Sequence, residues 1–189
     1  VPGAVTLVGA DVSVWTDQTA AGNNGTQGAG NRPVYGVVDA ADAVSFTGAS
    51  SQRLNFPDLF DPQGDYTVAL VAKPTNQDAV LWSQSSTAVN FADQVLLRHG
   101  PTALIHDWFA STSALGEIGA ASTVAAWHVL FIMKYGGVIY SQVDGGARQQ
   151  IALPTGTNVN NVSTLGAVLC QAGYLSFSTF AMRDISAWP

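Results

Sequence analysis

The sequence contains almost no cysteine and little charge, and both shortages restrict what the protein can be. Cys170 is the only cysteine among 189 residues, so an intrachain disulfide is excluded. Charged residues make up 11% of the chain, with 7 Lys and Arg against 13 Asp and Glu. The polar surface must therefore come mainly from Ser, Thr, Asn, Gln and Gly.

Basic clusters and long apolar runs are also lacking. A nucleic-acid-binding surface usually carries grouped Lys and Arg, whereas these residues are scattered singly along this chain. The longest nearly uninterrupted apolar stretch runs from Val124 to Met133 and contains His128. Crossing a bilayer takes about 20 apolar residues. We therefore expect neither nucleic-acid binding nor membrane insertion.

What the sequence does contain is a series of short segments rich in β-branched and aromatic residues. Tyr66 to Lys73 alternates apolar side chains with a period of two, which predicts a strand with one buried face. Trp127 to Lys134 is largely apolar on both faces, which predicts a central strand covered on both sides. The pair Asp144-Gly145 predicts a tight hairpin turn. Asn23 to Pro33 has too many glycines and amides for a packed element and is predicted to be a loop.

Similar segments recur along the rest of the chain. The other predicted strands are Val12–Asp17, Val34–Val38, Ala43–Thr47, Arg53–Phe56, Ala79–Ser83, Val95–His99, Ala103–Phe109, Val138–Val143, Arg148–Leu153, Thr164–Leu169 and Tyr174–Arg183. A dozen or so strands without helices between them predict an all-β fold. We expect a single domain over residues 1–189, built as an antiparallel two-sheet β-sandwich of the jelly-roll type.

Several motifs in this order resemble a known superfamily. Trp15-Thr16-Asp17-Gln18-Thr19 is followed by a Gly/Asn loop, by Asn31-Arg32-Pro33 and by Phe46-Thr47-Gly48. Together with the later Asp144-Gly145 turn, this order resembles the concanavalin A-like lectin/glucanase superfamily in its laminin G-like form, as found in bacteria and phages. The resemblance implies a jelly-roll fold, and it leaves the activity open because this fold hosts lectins, hydrolases, adhesion modules and virion proteins.

The residues needed for catalysis are missing from the sequence. Retaining glycosidases need two carboxyl groups about 5 Å apart, and the resembled family places them in a Glu-x-Asp-x-x-Glu strand. Glu117 is the only glutamate, and it has no acidic neighbour in sequence that would lie within reach on a strand. A nucleophile elbow of the form Gly-x-Ser-x-Gly is absent, since Gly48 to Gln52 departs from it. We expect no catalytic residues and no enzymatic activity.

Metal ligands are sparse as well. His99, His106 and Asp107 do not form a recognised zinc spacing, and each histidine is more simply read as a surface or capped residue. Proteins with the resembled fold often hold calcium at the sheet rim, and Asp58, Asp61 and Asp65 lie close together in sequence. Solvated turns with local Asp caps are the favoured interpretation, and calcium is the weaker alternative. We expect no cofactor.

Sugar binding without catalysis relies on exposed aromatic rings beside polar groups. His106 and Trp108 should share one face of their strand, and with Trp82 and Tyr140 they form the predicted ligand-binding platform. Core packing is the alternative for any single Trp in a sandwich.

Two functions remain compatible with the sequence. The first is a non-catalytic carbohydrate-binding or adhesion module displayed on a virion or on an extracellular or cell surface. The second is a structural or decoration component of a phage capsid or tail, acting through neighbouring protein subunits. The partners predicted are accordingly a glycan or other subunits of a surface assembly.

Overall fold

The computed structural model describes most of the chain. The described residues are 5–18, 21–61, 63–76, 79–85, 94–100, 102–110, 113–153, 162–165, 167–170, 173–175 and 178–188. Within them the secondary structure is almost entirely β, and Gly48–Ser50 forms the one short 3-10 turn.

Eighteen strands are described. The first nine are β1 (Val5–Val8), β2 (Asp11–Trp15), β3 (Gly25–Thr26), β4 (Val34–Val38), β5 (Ala41–Phe46), β6 (Leu54–Phe56), β7 (Tyr66–Pro74), β8 (Ala79–Ser85) and β9 (Gln94–His99). The other nine are β10 (Ala103–Ala110), β11 (Ser113–Ala121), β12 (His128–Tyr135), β13 (Val138–Val143), β14 (Gln149–Ala152), β15 (Val162–Leu165), β16 (Val168–Cys170), β17 (Gly173–Leu175) and β18 (Phe180–Trp188).

The strands form two antiparallel layers joined by a narrow seam. One layer has the order β11-β10-β9-β8-β15-β6-β3-β2, and the other has the order β4-β5-β18-β7-β12-β13-β14. A single residue pair, Asp11 with Val34, connects β2 to β4 across the seam. Strand β11 of the first layer contacts β13 and β14 of the second, and β10 contacts β13. The predicted antiparallel β-sandwich is therefore confirmed.

The core lies between the two layers and follows from strand alternation. Along β7 every second residue, beginning with Tyr66, is buried, as the period of two predicts. Aromatic rings stack in this core: Phe46 stacks on Phe180 at a centroid distance of 4.5 Å, and Phe60 stacks on Tyr66 at 4.4 Å. One hydrophobic cluster contains residues from Val12 to Met182 and so joins the early strands to the last one.

The hairpin turn after β13 agrees with the sequence. Asp144 and Gly145 have φ angles of +52° and +70°, as a type I′ turn requires. The Gly146 N–H closes the turn by donating to the Val143 carbonyl at 2.8 Å.

The structure corrects the prediction made for β12. Leu130 and Ile132 are buried on the inner side, but Val129 on the other side is 41% exposed. Phe131 and Met133, which share that side, are half-buried. Among the described residues, therefore, only one face of this strand is fully covered.

No helix in the described part of the chain has the length and apolar character needed to cross a bilayer.

Candidate functional site

The structure separates two members of the predicted platform. Trp82 is fully buried in β8, with its ring centroid 5.7 Å from that of Phe60. Tyr140 alternates along β13 with the buried residues Ile139 and Ser141 and so lies on the outer side of its layer. The prediction that Trp82 contacts a ligand is wrong, because the sandwich core encloses its ring.

The other two members lie on β10. The backbone register pairs His106 with Leu97 and Trp108 with Val95 of β9. Their side chains lie outside the described part of the structure, so their role in binding stays a prediction. Tyr140 is half-buried, and the Arg148 guanidinium stands 4.5 Å from its ring centroid, which is a cation–π contact.

A different place in the structure brings aromatic and polar side chains together. A cleft of about 470 Å³ opens between the end of β2 with its following loop, the β6 region and the last residues of β18. We call it the β2–β18 cleft. Its size is within the range of small-molecule sites, which is roughly 300–1,000 Å³.

The floor of the cleft belongs to the hydrophobic core. Trp15 and Phe56 line it and are almost completely buried, and Leu59 packs against the same cluster. Gly25 pairs with Trp15 in the β2–β3 ladder, and a Cβ added to Gly25 would overlap the Phe56 ring. The missing side chain at position 25 therefore lets the Phe56 ring close the floor beside Trp15.

The wall formed by the β2 loop is held by a reciprocal pair of hydrogen bonds. The Asn23 N–H donates to Asp17 Oδ2 at 2.8 Å, and the Asp17 N–H donates to Asn24 Oδ1 at 2.8 Å. These side-chain oxygens thus accept backbone N–H groups beyond the end of β2, where pairing with a neighbouring strand has ended. Gln18 follows Asp17 on this wall, and its amide donates to the Thr16 carbonyl at 2.9 Å.

The opposite wall is the last part of β18. This strand pairs with β5 only over Phe180–Met182, and from Asp184 to Trp188 its described pairing is with β7 alone. Among the described residues no strand pairs with the other side of β18 over Asp184–Trp188, which therefore offers backbone N–H and C=O groups, as strand edges do.

Alternation along β18 decides which side chains reach solvent. Ile185 and Ala187 pair with the buried residues Leu70 and Val68 and pack against the core. Asp184, Ser186 and Trp188 take the opposite side, and Trp188 is 50% exposed at the cleft. The Trp188 indole thus shares one face of β18 with the Asp184 carboxylate and the Ser186 hydroxyl, and all three residues line the cleft.

This arrangement can hold a polar ligand that also has apolar faces. A sugar ring is such a ligand, because its C–H faces stack on aromatic rings while its hydroxyl groups donate and accept hydrogen bonds. Trp188 was missed in the sequence analysis, since the last predicted strand was ended at Arg183. Its exposure depends on the pairing of β18 with β7, which sequence periodicity does not reveal.

A second polar cluster consists of His128, Asp144 and Thr123, and its hydrogen bonds differ from those of a catalytic triad. His128 Nδ1 lies 2.7 Å from Asp144 Oδ2, and Nε2 lies 2.9 Å from the Thr123 carbonyl oxygen and 3.5 Å from Thr123 Oγ1. The nearest neighbour of Nε2 is thus the Thr123 carbonyl oxygen and not the Thr123 hydroxyl, and His128 links the Thr123 loop to the Asp144 turn.

Asp144 is the anchor of this link. Its Oδ1 also accepts the Val129 N–H at 2.8 Å. Partial burial opposes ionisation of the Asp144 carboxyl, but the hydrogen bonds from His128 and Val129 outweigh it and hold its pKa below the ordinary value.

The acidic segment considered for calcium is built around a lysine. Lys134 Nζ donates to the Gln63 and Gly64 carbonyl oxygens at 2.6 and 2.9 Å. Burial lowers the pKa of Lys134, and the nearby carboxylates of Asp61 and Asp65 act against this shift. Asp61 and Asp65 themselves accept backbone N–H groups, from Gln63 and Gly136.

The cation that this acidic segment binds is thus the ammonium group of Lys134. Within the described residues no group of three or more His, Cys, Asp and Glu side chains is arranged to hold a metal ion.

The similarity of this chain to known proteins is a similarity of fold. No protein-family model matches the sequence. No curated protein matches it either. The receptor-binding domain of botulinum neurotoxin type G superposes with a TM-score of 0.64 at 7% identity, over 94% of this chain and 47% of that one. The chain thus spans about half the length of that domain.

Two further structures share the fold. The CBM40 module of the Ruminococcus gnavus IT-sialidase, solved with α2,3-sialyllactose, has a TM-score of 0.55 at 10% identity, over 66% of this chain and 75% of that one. The enzymatically active domain of tailspike protein 2 from bacteriophage CBA120 has a TM-score of 0.53 at 11% identity, over 82% and 27%. The chain is therefore a β-sandwich similar to carbohydrate-binding and receptor-binding modules, and the fold alone does not decide between binding and catalysis.

Proposed function

We propose that this protein is a non-catalytic carbohydrate-binding module of the concanavalin A-like, laminin G-like type, displayed on a virion or cell surface. The observation that carries the proposal is the exposed Trp188 ring at the β2–β18 cleft, on the same face of β18 as Asp184 and Ser186 and on a part of the strand whose described pairing is with β7 alone. Similarity of the fold to a sialyllactose-binding module and to a toxin receptor-binding domain supports it.

The cleft would bind a glycan by dividing the work between two kinds of contact. The Trp188 ring stacks on the C–H face of one sugar, and the hydroxyl groups bond to Asp184, Ser186 and the edge of β18. Asp17 instead supports the wall of the cleft, because its Oδ2 accepts the Asn23 N–H. Because these contacts are few, we expect a dissociation constant of roughly 1 μM to 1 mM.

The test is a glycan-array screen followed by titration calorimetry on the best glycan. Trp188→Ala should weaken binding at least ~10-fold, which is about 1.4 kcal/mol. Tyr135→Ala is the matched control, because Tyr135 is also an exposed aromatic residue, at 70%, and does not line the cleft. This control should bind as the parent does, and both variants should keep the parent melting temperature.

The same titration distinguishes the cleft from the platform predicted on β10. If binding survives Trp188→Ala but is lost in a folded Trp108→Ala variant, the ligand sits at the predicted His106 and Trp108 platform. If neither substitution alters the affinity for a bound glycan, the proposed site is wrong.

A second candidate function is assembly with neighbouring protein subunits of a capsid or tail. It is favoured by the outer face of β12, where Val129 is 41% exposed beside the half-buried Phe131 and Met133. Contiguous apolar surface of this kind often marks a protein contact. Size-exclusion chromatography with light scattering tests it: a stable oligomer that Val129→Ser dissociates supports assembly, and a monomer at all concentrations counts against self-assembly.

A further inference from the structure

We infer that the β2–β18 cleft selects uncharged glycans and discriminates against sugars that carry carboxylate or sulfate groups. This inference rests on the proposed function and names the class of ligand for the same site. It comes from the charges that line the cleft and from the positions of all the cationic side chains of the chain.

Two of the described residues that line the cleft are charged, and both are acidic. Asp17 stands on the wall formed by the β2 loop, and Asp184 stands on the wall formed by β18. The other lining residues are neutral, so none of the side chains around the cleft is a Lys or an Arg. An anionic sugar would therefore approach two carboxylates without a cation to pair with.

The cations of the chain are accounted for elsewhere. All 7 Lys and Arg residues fall within the described ranges. Lys73 pairs with Asp39 at 2.6 Å, and Arg32 Nε donates to the Gln27 carbonyl at 3.1 Å. Arg53 donates to the Ser51 carbonyl at 3.2 Å. Lys134 and Arg148 make the contacts described above, and Arg98 lies on β9.

Arg183 is the cation nearest to the cleft in sequence, and the strand turns it away. A register shift in the β18–β7 ladder falls between Met182 and Asp184. The Arg183 guanidinium stands 5.5 Å from the ring centroid of Trp127, a residue that does not line the cleft. The residue beside Asp184 thus does not neutralise the cleft.

The same carboxylates suit a neutral sugar. A carboxylate accepts hydrogen bonds from two neighbouring hydroxyl groups, and such charge-assisted bonds are stronger than those between neutral groups. The amides of Gln18 and Asn23 and the hydroxyl of Ser186 add donors and acceptors without charge. A neutral glycan gains these bonds, whereas an acidic glycan gains fewer of them and meets repulsion.

The experiment uses ligand pairs that differ only in charge. Calorimetric titrations compare a sialylated oligosaccharide with its desialylated form, and polygalacturonate with its methyl ester, in EDTA and again with calcium. In whichever pair binds, the neutral sugar should bind at least ~10-fold more tightly than the acidic sugar at low salt. Added salt should narrow this ratio, because salt screens the repulsion.

Two variants assign the discrimination to the cleft. Asp184→Asn should reduce the ratio, and Asp184→Lys should reduce it further by improving binding of the acidic member. Asp11→Asn is the matched control, since Asp11 is an exposed carboxylate at the other end of β2 from Trp15 and should leave the ratio unchanged.

Three results would contradict the inference, and each has a different meaning. Tighter binding of the acidic member, with or without calcium, shows that the module binds glycans but does not select neutral ones. A ratio that neither Asp184 variant nor salt alters shows that the discrimination arises elsewhere. If no glycan of either kind binds, the proposed function fails and this inference fails with it.

Discussion

Gly25 illustrates how a single missing side chain positions the β2–β18 cleft. The Phe56 ring occupies the space that a Cβ at position 25 would need. We expect Gly25→Ala to displace this ring and to destabilise the fold by about 1–3 kcal/mol, the usual cost of overpacking. Urea unfolding measures this change, and glycan binding should weaken with it.

Gly28→Ala is the control for this prediction. Gly28 lies three residues further along, and a Cβ added there meets no other atom. It should unfold at nearly the parent urea concentration. Equal midpoints for the Gly25 and Gly28 variants would show that the Phe56 ring moves aside without cost.

Asp144 gives the fold a dependence on pH whose sign follows from its lowered pKa. A carboxyl whose pKa is lower in the folded state stabilises the fold above its ordinary pKa of 3.8, and the stabilisation is lost as the pH falls through the lower folded value. The side chain is half exposed, so we expect less than about 1 kcal/mol.

Urea unfolding of the parent and of Asp144→Asn at several pH values tests this expectation. The stability difference between the two should shrink as the pH falls from 5 towards 2. A difference that stays constant over this range would mean that ionisation of Asp144 does not stabilise the fold.

At the scale of single residues the sequence predicts burial better than it predicts sites. The buried alternation that begins at Tyr66 follows from side-chain type alone. Trp82 and Trp188 are the same residue type, yet one is enclosed and the other half exposed, because their places depend on which strands pair. Sequence reasoning therefore predicted an exposed ring at Trp82 and did not predict one at Trp188.

The β4–β5 hairpin contains an alanine in an unfavourable conformation. Asp39 and Ala40 both have positive φ angles, +49° and +62°, and Ala40 is exposed. We expect Ala40→Gly to raise stability by about 0.5–1 kcal/mol, because glycine adopts this region without a steric penalty. A thermal melt measures the change. Ala152→Gly on the exposed strand β14 should instead lower the melting temperature, and a decrease in both variants would contradict the explanation.

Elements with strong local signals were predicted closely, and elements defined by their partners were not. Val34–Val38 and Val138–Val143 have the predicted bounds. Ser113–Ala121 was missed, since it is rich in Ala and Gly and becomes a strand by pairing with β10. The predicted loop Asn23–Pro33 contains the short strand Gly25–Thr26 for the same reason, because β2 and β6 flank it.

The whole molecule depends on its last strand. β18 lies between β5 and β7 inside its layer, and Phe180 and Met182 belong to the core cluster. We expect a chain truncated after Thr179 to lose cooperative unfolding, since removing β18 exposes β7 and leaves the stacking partner of Phe46 absent. Circular dichroism during heating measures this loss. Full-length Trp188→Ala should melt cooperatively, and a truncated chain that also did so would show that the core closes without β18.

The single domain predicted for residues 1–189 remains a prediction, although the core cluster already joins Val12 to Met182. Pairing between strands so distant in sequence is the part of the fold that local patterns do not specify. The series of strands without helices predicted the sandwich, but it did not specify which distant strands pair.

Trp15 and Trp188 line one cleft although they lie far apart in the sequence. Because this cleft exists only in the native state, a glycan bound there as proposed would oppose unfolding. Free ligand at 100 times its dissociation constant adds about 2.7 kcal/mol to the stability. The melting temperature can therefore report binding without any label. A module attached to a glycan-rich surface would be harder to unfold than the same module free of ligand.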